Sequence, residues 1–407
     1  MNLYIFNQTR RGSVFGVGTY IRELTTVLKN HGINLCVVNL ISEKPQIETK
    51  QVDGIEHLFL PLAISDHRTI SNKKQWELYY RNVVYILQLY IKDKKDLIFH
   101  MNFYESDKLI DELKNIFDCK IVAVSHFFSW GFTIYDNLQR LRRILQNEQP
   151  NSFEENLQKV FEEERIFYVK VDHIICLSNY MKQILCKDYG IDVTKISVIP
   201  NGLCDLVETS ISIKYLRNKW NIPLDEKVII FAGRIDEVKG ITYLIKAFHV
   251  VVEKYPKARL IIAGSGDYDI YLQEAKRVCS KISFTGLLTK NDLYELYRIA
   301  EIGVVPSLFE PFGYVAVEMM IHALPLVVTS TSGLNEVVDH TCGLKISLME
   351  LPDRLEIDAS FLAQKILYLL QHSAKAKDIG LNGRKRYLTN YSSEIFCQNM
   401  LHLYSSL

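Results

Sequence analysis

The sequence predicts an α/β protein made of two doubly wound domains. Two observations carry that expectation. Short apolar runs closed by turn residues alternate with stretches of helical period, the rhythm of βαβ units around a parallel sheet. The 407 residues also exceed what one core accommodates and suit two domains of about 200 residues each. The turn signal in Val198-Ile199-Pro200-Asn201-Gly202 lies midway. It sets the division at residues 1–200 and 201–390, with residues 391–407 read as a final helix.

In the N-terminal half, Leu3 to Phe6 reads as a buried strand. It runs into the glycine-bearing loop Gly12-Ser13-Val14-Phe15-Gly16-Val17-Gly18, a helix from about Tyr20 to Asn30 and a strand from Leu35 to Asn39. Glycines between strand and helix let backbone approach a ligand, with a plain turn as the alternative. A dinucleotide fingerprint wants a third glycine where Ile21 stands, so a nicotinamide site is disfavoured. Trp76 to Ile91 reads as a core helix. The strands Leu97 to His100 and Ile121 to Val124 follow, the latter ending in Ser125-His126. A histidine just past a strand's carboxyl end lies where ligands bind in α/β sheets, so His126 is a candidate. The next six residues, Phe127 to Phe132, include four aromatics. In a loop, Phe128 and Trp130 could stack on an acceptor sugar or meet a lipid tail; they could equally pack under a helix. Val171 to Cys176 is a strand, and Ser178 either caps the next helix or faces a cleft.

The C-terminal half repeats the pattern with strands at Val228–Phe231, Leu260–Ala263 and Ile282–Phe284, and helices at Thr242–Tyr255 and Asn291–Ala300. After the first strand, Gly233-Arg234-Ile235-Asp236-Glu237-Val238-Lys239-Gly240 puts two cations in one loop. A guanidinium and an ammonium there can jointly neutralise a diphosphate. Gly264, Gly266 and Gly286 follow the next strands and permit close backbone approach. Asp267-Tyr268-Asp269 is expected to open a helix rather than hold a metal. The apolar run Ile302 to Val305 then leads through Pro306-Ser307-Leu308-Phe309-Glu310-Pro311-Phe312-Gly313-Tyr314 towards Glu318. Pro311 suits the first turn of a helix. Helical rise would then hold Glu310 and Glu318 roughly 12 Å apart. The amides of Phe312, Gly313 and Tyr314 would face an anion at the helix start.

Glu310-Pro311-Phe312-Gly313 with Glu318 resembles the E-x7-E region of retaining glycosyltransferases of the GT-B fold, in particular family 4, the glycosyl transferases group 1. Gly233-Arg234 through Lys239-Gly240 matches that family's G-R-x-x-x-x-K-G element in full. Two elements depart from the family pattern: Val171 stands where alanine is usual before Asp172, and Ser332 replaces the first glycine of a G-G-x-x-E element. The resemblance implies two Rossmann-like domains facing across a cleft, an N-terminal acceptor domain joined by helix 391–407 and a nucleotide-sugar domain at 201–390. It implies a nucleoside-diphosphate sugar as donor, with uridine favoured over guanosine, and neither metal nor cofactor. Arg234 and Lys239 would hold the diphosphate, Glu310 the sugar hydroxyls and Glu318 the ribose. Gly16 and Gly18 would lie over the diphosphate, Gly264 beside the donor, and Gly286 and Leu287 against the base. His126 would sit near the transferred sugar. The acceptor stays open among a glycan, a lipid-linked carrier, a small molecule and a peptide. A sugar-nucleotide epimerase and a non-catalytic nucleotide-sugar-binding protein are the alternatives.

Composition narrows the remaining classes. A net charge of +1 gives no field to draw nucleic acid. Eight scattered cysteines without a C-x-x-C fit a reducing compartment. The N-terminus lacks a leader pattern, and no run approaches a membrane span. The expectation is a cytoplasmic protein, with weak peripheral contact at the inner membrane face left open.

Overall fold

The computed structural model describes residues 1–8, 16–62, 73–92, 94–103, 107–207, 210–352 and 354–407. The chain divides into two compact units. The first comprises residues 1–128, 148–202 and 393–407, the second residues 129–147 and 203–392. Residues 129–147, expected within the N-terminal domain, thus cluster with the second unit.

The first unit is built on β1 (Asn2–Gln8), β2 (Asn34–Ser42), β3 (Glu48–Val52), β4 (Ile55–Pro61), β5 (Leu97–Met101), β6 (Cys119–Ser125), β7 (His173–Cys176) and β8 (Ile196–Val198). They form one sheet in the order β3-β4-β2-β1-β5-β6-β7-β8, parallel throughout except for β3. Parallel strands covered on both faces must be apolar along their length, and β5 is buried at every position. The edge strand β3 is polar and exposed, and the sequence reading missed it. Its signal was Asp53-Gly54, two residues with positive φ (51° and 78°) joining the Val52 and Ile55 pair as a tight hairpin turn. The helix Ser393–Ser406 belongs to this unit and buries Phe396, Met400, Leu403 and Tyr404.

The second unit contains β9 (Lys227–Ala232), β10 (Ala258–Ala263), β11 (Ile282–Gly286), β12 (Ile302–Val305), β13 (Leu326–Thr329) and β14 (Gly343–Ile346). All pair in parallel, in the order β11-β10-β9-β12-β13-β14. The order reverses between β9 and β12, and at such a switch point the loops after the two strands diverge and leave a crevice at their carboxyl ends. Its core packs Ile229, Phe231, Leu244, Phe248, Leu260, Ile262 and Val304 against Leu362 and Ile366. Where the chain enters and leaves this unit, Leu203 bridges Ser392, and the Tyr387 hydroxyl donates to the Leu203 carbonyl at 2.8 Å.

Candidate active site

In the second unit, the two loops that leave the switch point are laced together. The Asp236 carboxylate accepts the Lys239 amide at 3.1 Å and closes a 3-10 turn over Glu237–Lys239. Gly240 follows with φ 68°, and a Cβ on it would lie 1.9 Å from the Pro306 carbonyl oxygen. Only glycine allows that approach. The Leu308 amide donates to the Val238 carbonyl at 2.7 Å. The side chains meet as a result: Lys239 Nζ lies 2.5 Å from Glu310 Oε2, with 17% and 15% of the two side chains exposed. Ser307 Oγ donates to the same carboxylate oxygen at 3.2 Å. Arg234 pairs with Asp236 at 3.1 Å, and its guanidinium lies 5.7 Å from the centroid of the Phe132 ring. Each cation expected to meet a diphosphate is therefore matched to a carboxylate of its own unit.

The helix after β12 differs from the expectation. It spans Tyr314–Ile321 with Gly313 as its N-cap at φ 100°, so Pro311 lies outside it. The chain between Glu310 and Gly313 turns instead, and only the step from Tyr314 to Glu318 has helical rise. The first turn of the helix begins at Tyr314, one residue past Gly313. Phe312 is 3% exposed, its ring edge-on to Tyr314 and Tyr391, so its side chain is core. Glu318 is partly buried and accepts from the Tyr297 hydroxyl at 3.4 Å.

The glycines after β10 serve the protein's own packing. A Cβ on Gly264 would lie 1.7 Å from the Gly233 carbonyl oxygen, and one on Gly266 2.2 Å from that of Ile235. The close approach expected for a ligand is made by the neighbouring loop. Gly286 ends β11 with φ 74°, and Leu287 is exposed. Asp267 accepts the Asp269 amide at 3.1 Å, and Asp269 opens the helix Asp269–Ala275. Among the described residues no group of three or more His, Cys, Asp or Glu side chains could hold a metal ion.

Ser332, the departure from the family's glycine, has φ 40°. That left-handed backbone explains why glycine is usual there, since a side chain at such a position costs about 1–3 kcal/mol. Its hydroxyl donates to Asp136 Oδ2 at 2.5 Å. Asp136 belongs to the segment 129–147, whose helices Ser129–Ile134 and Leu138–Leu145 fold with this unit. Phe132 packs edge-on against Phe309 at 5.0 Å, and Arg143 donates to the Pro352 carbonyl at 2.8 Å. Sequence reasoning missed Asp136 and Asp236 as parts of this site.

In the first unit, His126 follows β6 directly. Its Nε2 lies 3.0 Å from Asn102 Oδ1, while Asn102 Nδ2 donates to the Phe6 carbonyl at 3.0 Å. The amide is thereby oriented, so His126 carries its proton on Nε2 and keeps the Nδ1 lone pair. Burial lowers its pKa to about 3, so the ring is neutral at physiological pH. His100 lies between the hydroxyls of Tyr20 (3.2 Å) and Tyr404 (2.8 Å), and burial lowers it likewise to about 3. Gly16 and Gly18 sit in the first turn of the helix Gly16–Leu28 rather than in a loop; Gly12 to Phe15 lie outside the described residues. Gly18 helps line a cavity of about 230 Å³ with Asn7, Arg22, Thr25 and His57. Phe128 and Trp130 are each 1% exposed, and the Phe128 ring stacks on Tyr189 at 5.3 Å. Both rings are interior, which corrects the expectation of a stacking surface for sugar or lipid. Ser178 caps the helix Asn179–Lys187, accepting the Met181 amide at 3.2 Å.

Two parallel sheets of Rossmann type, with cations and carboxylates gathered at the carboxyl ends of the second one's central strands, define the GT-B class of α/β proteins. The fold is shared at full length with sucrose-phosphate synthase from Thermosynechococcus elongatus (TM-score 0.77, 20% identity, 100% of this chain and 98% of that one). It is also shared at full length with the HepE protein of Anabaena in complex with UDP-glucose (TM-score 0.74, 18% identity, 100% of both chains). Residues 212–386 match the family described as glycosyl transferases group 1, and residues 14–204 the one described as glycosyltransferase family 4. The chain belongs to this glycosyltransferase family. A glycosyltransferase of Methanocaldococcus jannaschii is 37% identical over 175 residues, which are 41% of this chain and 44% of that protein. The match thus spans less than half the length of that relative.

Proposed function

We propose that the protein is a retaining glycosyltransferase, a hexosyltransferase that moves a sugar from a nucleoside-diphosphate sugar to an acceptor hydroxyl. The observation that carries this reading is the Lys239–Glu310 pair, set with Arg234 at the switch point of the second sheet. Family membership supports it, and the fold shared with a protein solved with UDP-glucose favours a uridine donor. An arriving diphosphate takes Lys239 and Arg234 from their carboxylates. Glu310, released from the ammonium, turns to the hydroxyls of the donor sugar, and Glu318 takes the ribose. The unit that spans 203–392 binds the donor, and the unit with His126 presents the acceptor. His126, neutral and with a free Nδ1 lone pair, accepts a hydrogen bond from a sugar hydroxyl.

In the reaction, the bond between the anomeric carbon and the diphosphate oxygen breaks as the acceptor oxygen bonds the same face of that carbon. The acceptor's proton passes to a phosphate oxygen of the leaving group. Arg234 and Lys239 stabilise the charge developing on the diphosphate, which is the role a metal ion plays in other transferases. The eight cysteines, none of them joined in a disulfide, fit work in the reducing cytoplasm. No helix among the described residues is long and apolar enough to cross a membrane. Contact with the inner membrane face loses the support of Phe128 and Trp130, whose rings are buried.

A panel of UDP- and GDP-sugars, scored by release of the nucleoside diphosphate with and without candidate acceptors, tests the reading. Acceptor-dependent release of UDP supports it. A sugar changed in configuration while still on the nucleotide, without acceptor, would make the protein an epimerase.

A further inference from the structure

We propose that Asp136 is a positioning residue for the donor site, acting through Ser332; the role assumes the site reading given above. Eight non-glycine residues have positive φ among the described residues, and three of them meet at one contact. Tyr135 (φ 52°) and Asp136 (φ 62°) form the turn between the helices Ser129–Ile134 and Leu138–Leu145, and Ser332 (φ 40°) faces them across the bond from its hydroxyl to Asp136 Oδ2. Such conformations persist only where their surroundings over-determine them, and they gather at functional sites. The turn is held from below by the Tyr135 hydroxyl, which donates to Glu237 at 3.1 Å in the same loop as Arg234 and Lys239.

The residues on either side of Ser332 in turn hold the segment that carries Glu310. Thr331 donates through Oγ1 to the Leu308 carbonyl at 2.8 Å, and the Leu334 amide donates to the Glu310 carbonyl at 3.1 Å. Any relaxation of residue 332 towards negative φ therefore drags the segment that carries Glu310. Glycine at this position would rest in the left-handed region unaided. A serine there is held by what its hydroxyl meets: Thr331 Oγ1 lies 3.2 Å away, and Asp136 supplies the charged acceptor. The aspartate compensates for the absent glycine.

The experiment is a double-mutant cycle of Asp136→Ala and Ser332→Gly, with Asp136→Asn as the conservative variant. Affinities for UDP and GDP are measured by calorimetry, the donor KM and kcat by turnover, and the melting temperature alongside. Asp136→Ala is expected to weaken UDP binding at least fivefold and to raise the donor KM more than it lowers kcat. In the Ser332→Gly background the same substitution should change UDP affinity less than twofold, and Asp136→Asn, which keeps an acceptor, should retain most of it. An Asp136→Ala protein that binds UDP as the wild type does would overturn the proposal, as would an equal loss in both backgrounds. A wild-type protein that binds neither nucleotide would refute the donor site itself, a failure visible before any variant is made.

Discussion

Replacing Lys239 with alanine tests the site most directly, because it removes one partner of a largely shielded ion pair. At 2.5 Å the pair's gross attraction is roughly 6–7 kcal/mol at an effective dielectric constant near 20, most of it offset by desolvation. Losing one partner of a fully buried pair destabilises by about 3–5 kcal/mol, and the 15–17% exposure here lowers that to about 2–3 kcal/mol. For a unit of this size the melting temperature should fall by about 5–10 °C. Catalysis should fall further than stability explains. With the ammonium gone from the leaving diphosphate, kcat should drop at least ~100-fold, equivalent to about 2.7 kcal/mol of transition-state stabilisation. Adding Glu310→Gln removes the stranded carboxylate. The double variant should therefore regain most of the melting temperature and none of the activity. Turnover of a UDP-sugar at saturating donor, read beside calorimetric melting, separates the two effects. A Lys239→Ala enzyme with more than a tenth of wild-type kcat would refute the assignment of Lys239 to the diphosphate.

Acid should destabilise the first unit in a defined window. His100 and His126 are held near pKa 3 by burial, against 6.5 when exposed. The unfolded chain takes up protons that the folded one refuses, so this contribution is whole above pH 6.5 and drains as the pH falls towards 3, by about 1.4 kcal/mol per pH unit for each histidine. Melting from pH 7 to pH 5 should show the loss, and a His126→Gln variant should show a shallower slope; equal slopes would count against it. Gly240→Ala should destabilise the second unit by about 3 kcal/mol or more in urea unfolding, because its Cβ meets the Pro306 carbonyl and its φ is 68°. Glu318→Gln should weaken UDP binding by about tenfold with little effect on kcat, and the variant should no longer distinguish UDP from 2′-deoxy-UDP in calorimetry.

The residues proposed to carry the chemistry were legible because they sit in local patterns. The loop from Gly233 to Gly240 and the segment from Pro306 to Glu318 each follow a short apolar run, and in parallel sheets ligands gather at those strand ends. The strands read from apolar runs lie where those runs predict them, since burial on both faces leaves no polar position to blur the signal. The helix start did not. Pro311 is a good first helical residue by local preference, yet Leu334 packs within reach of Gly313 and the Leu334 amide takes the Glu310 carbonyl. Those contacts begin the helix at Tyr314.

The sequence by itself determined the α/β class and the motif loops, because apolar period and glycine placement are local properties read along the chain. The tertiary structure alone decided the partners. It set Lys239 against Glu310 across 71 positions and buried Phe128 and Trp130. It also carried residues 129–147 to the second unit, where Asp136 meets Ser332 at a separation of 196. A side chain's partner depends on how strands are ordered in a sheet, and no pattern within one turn of helix or strand records that order.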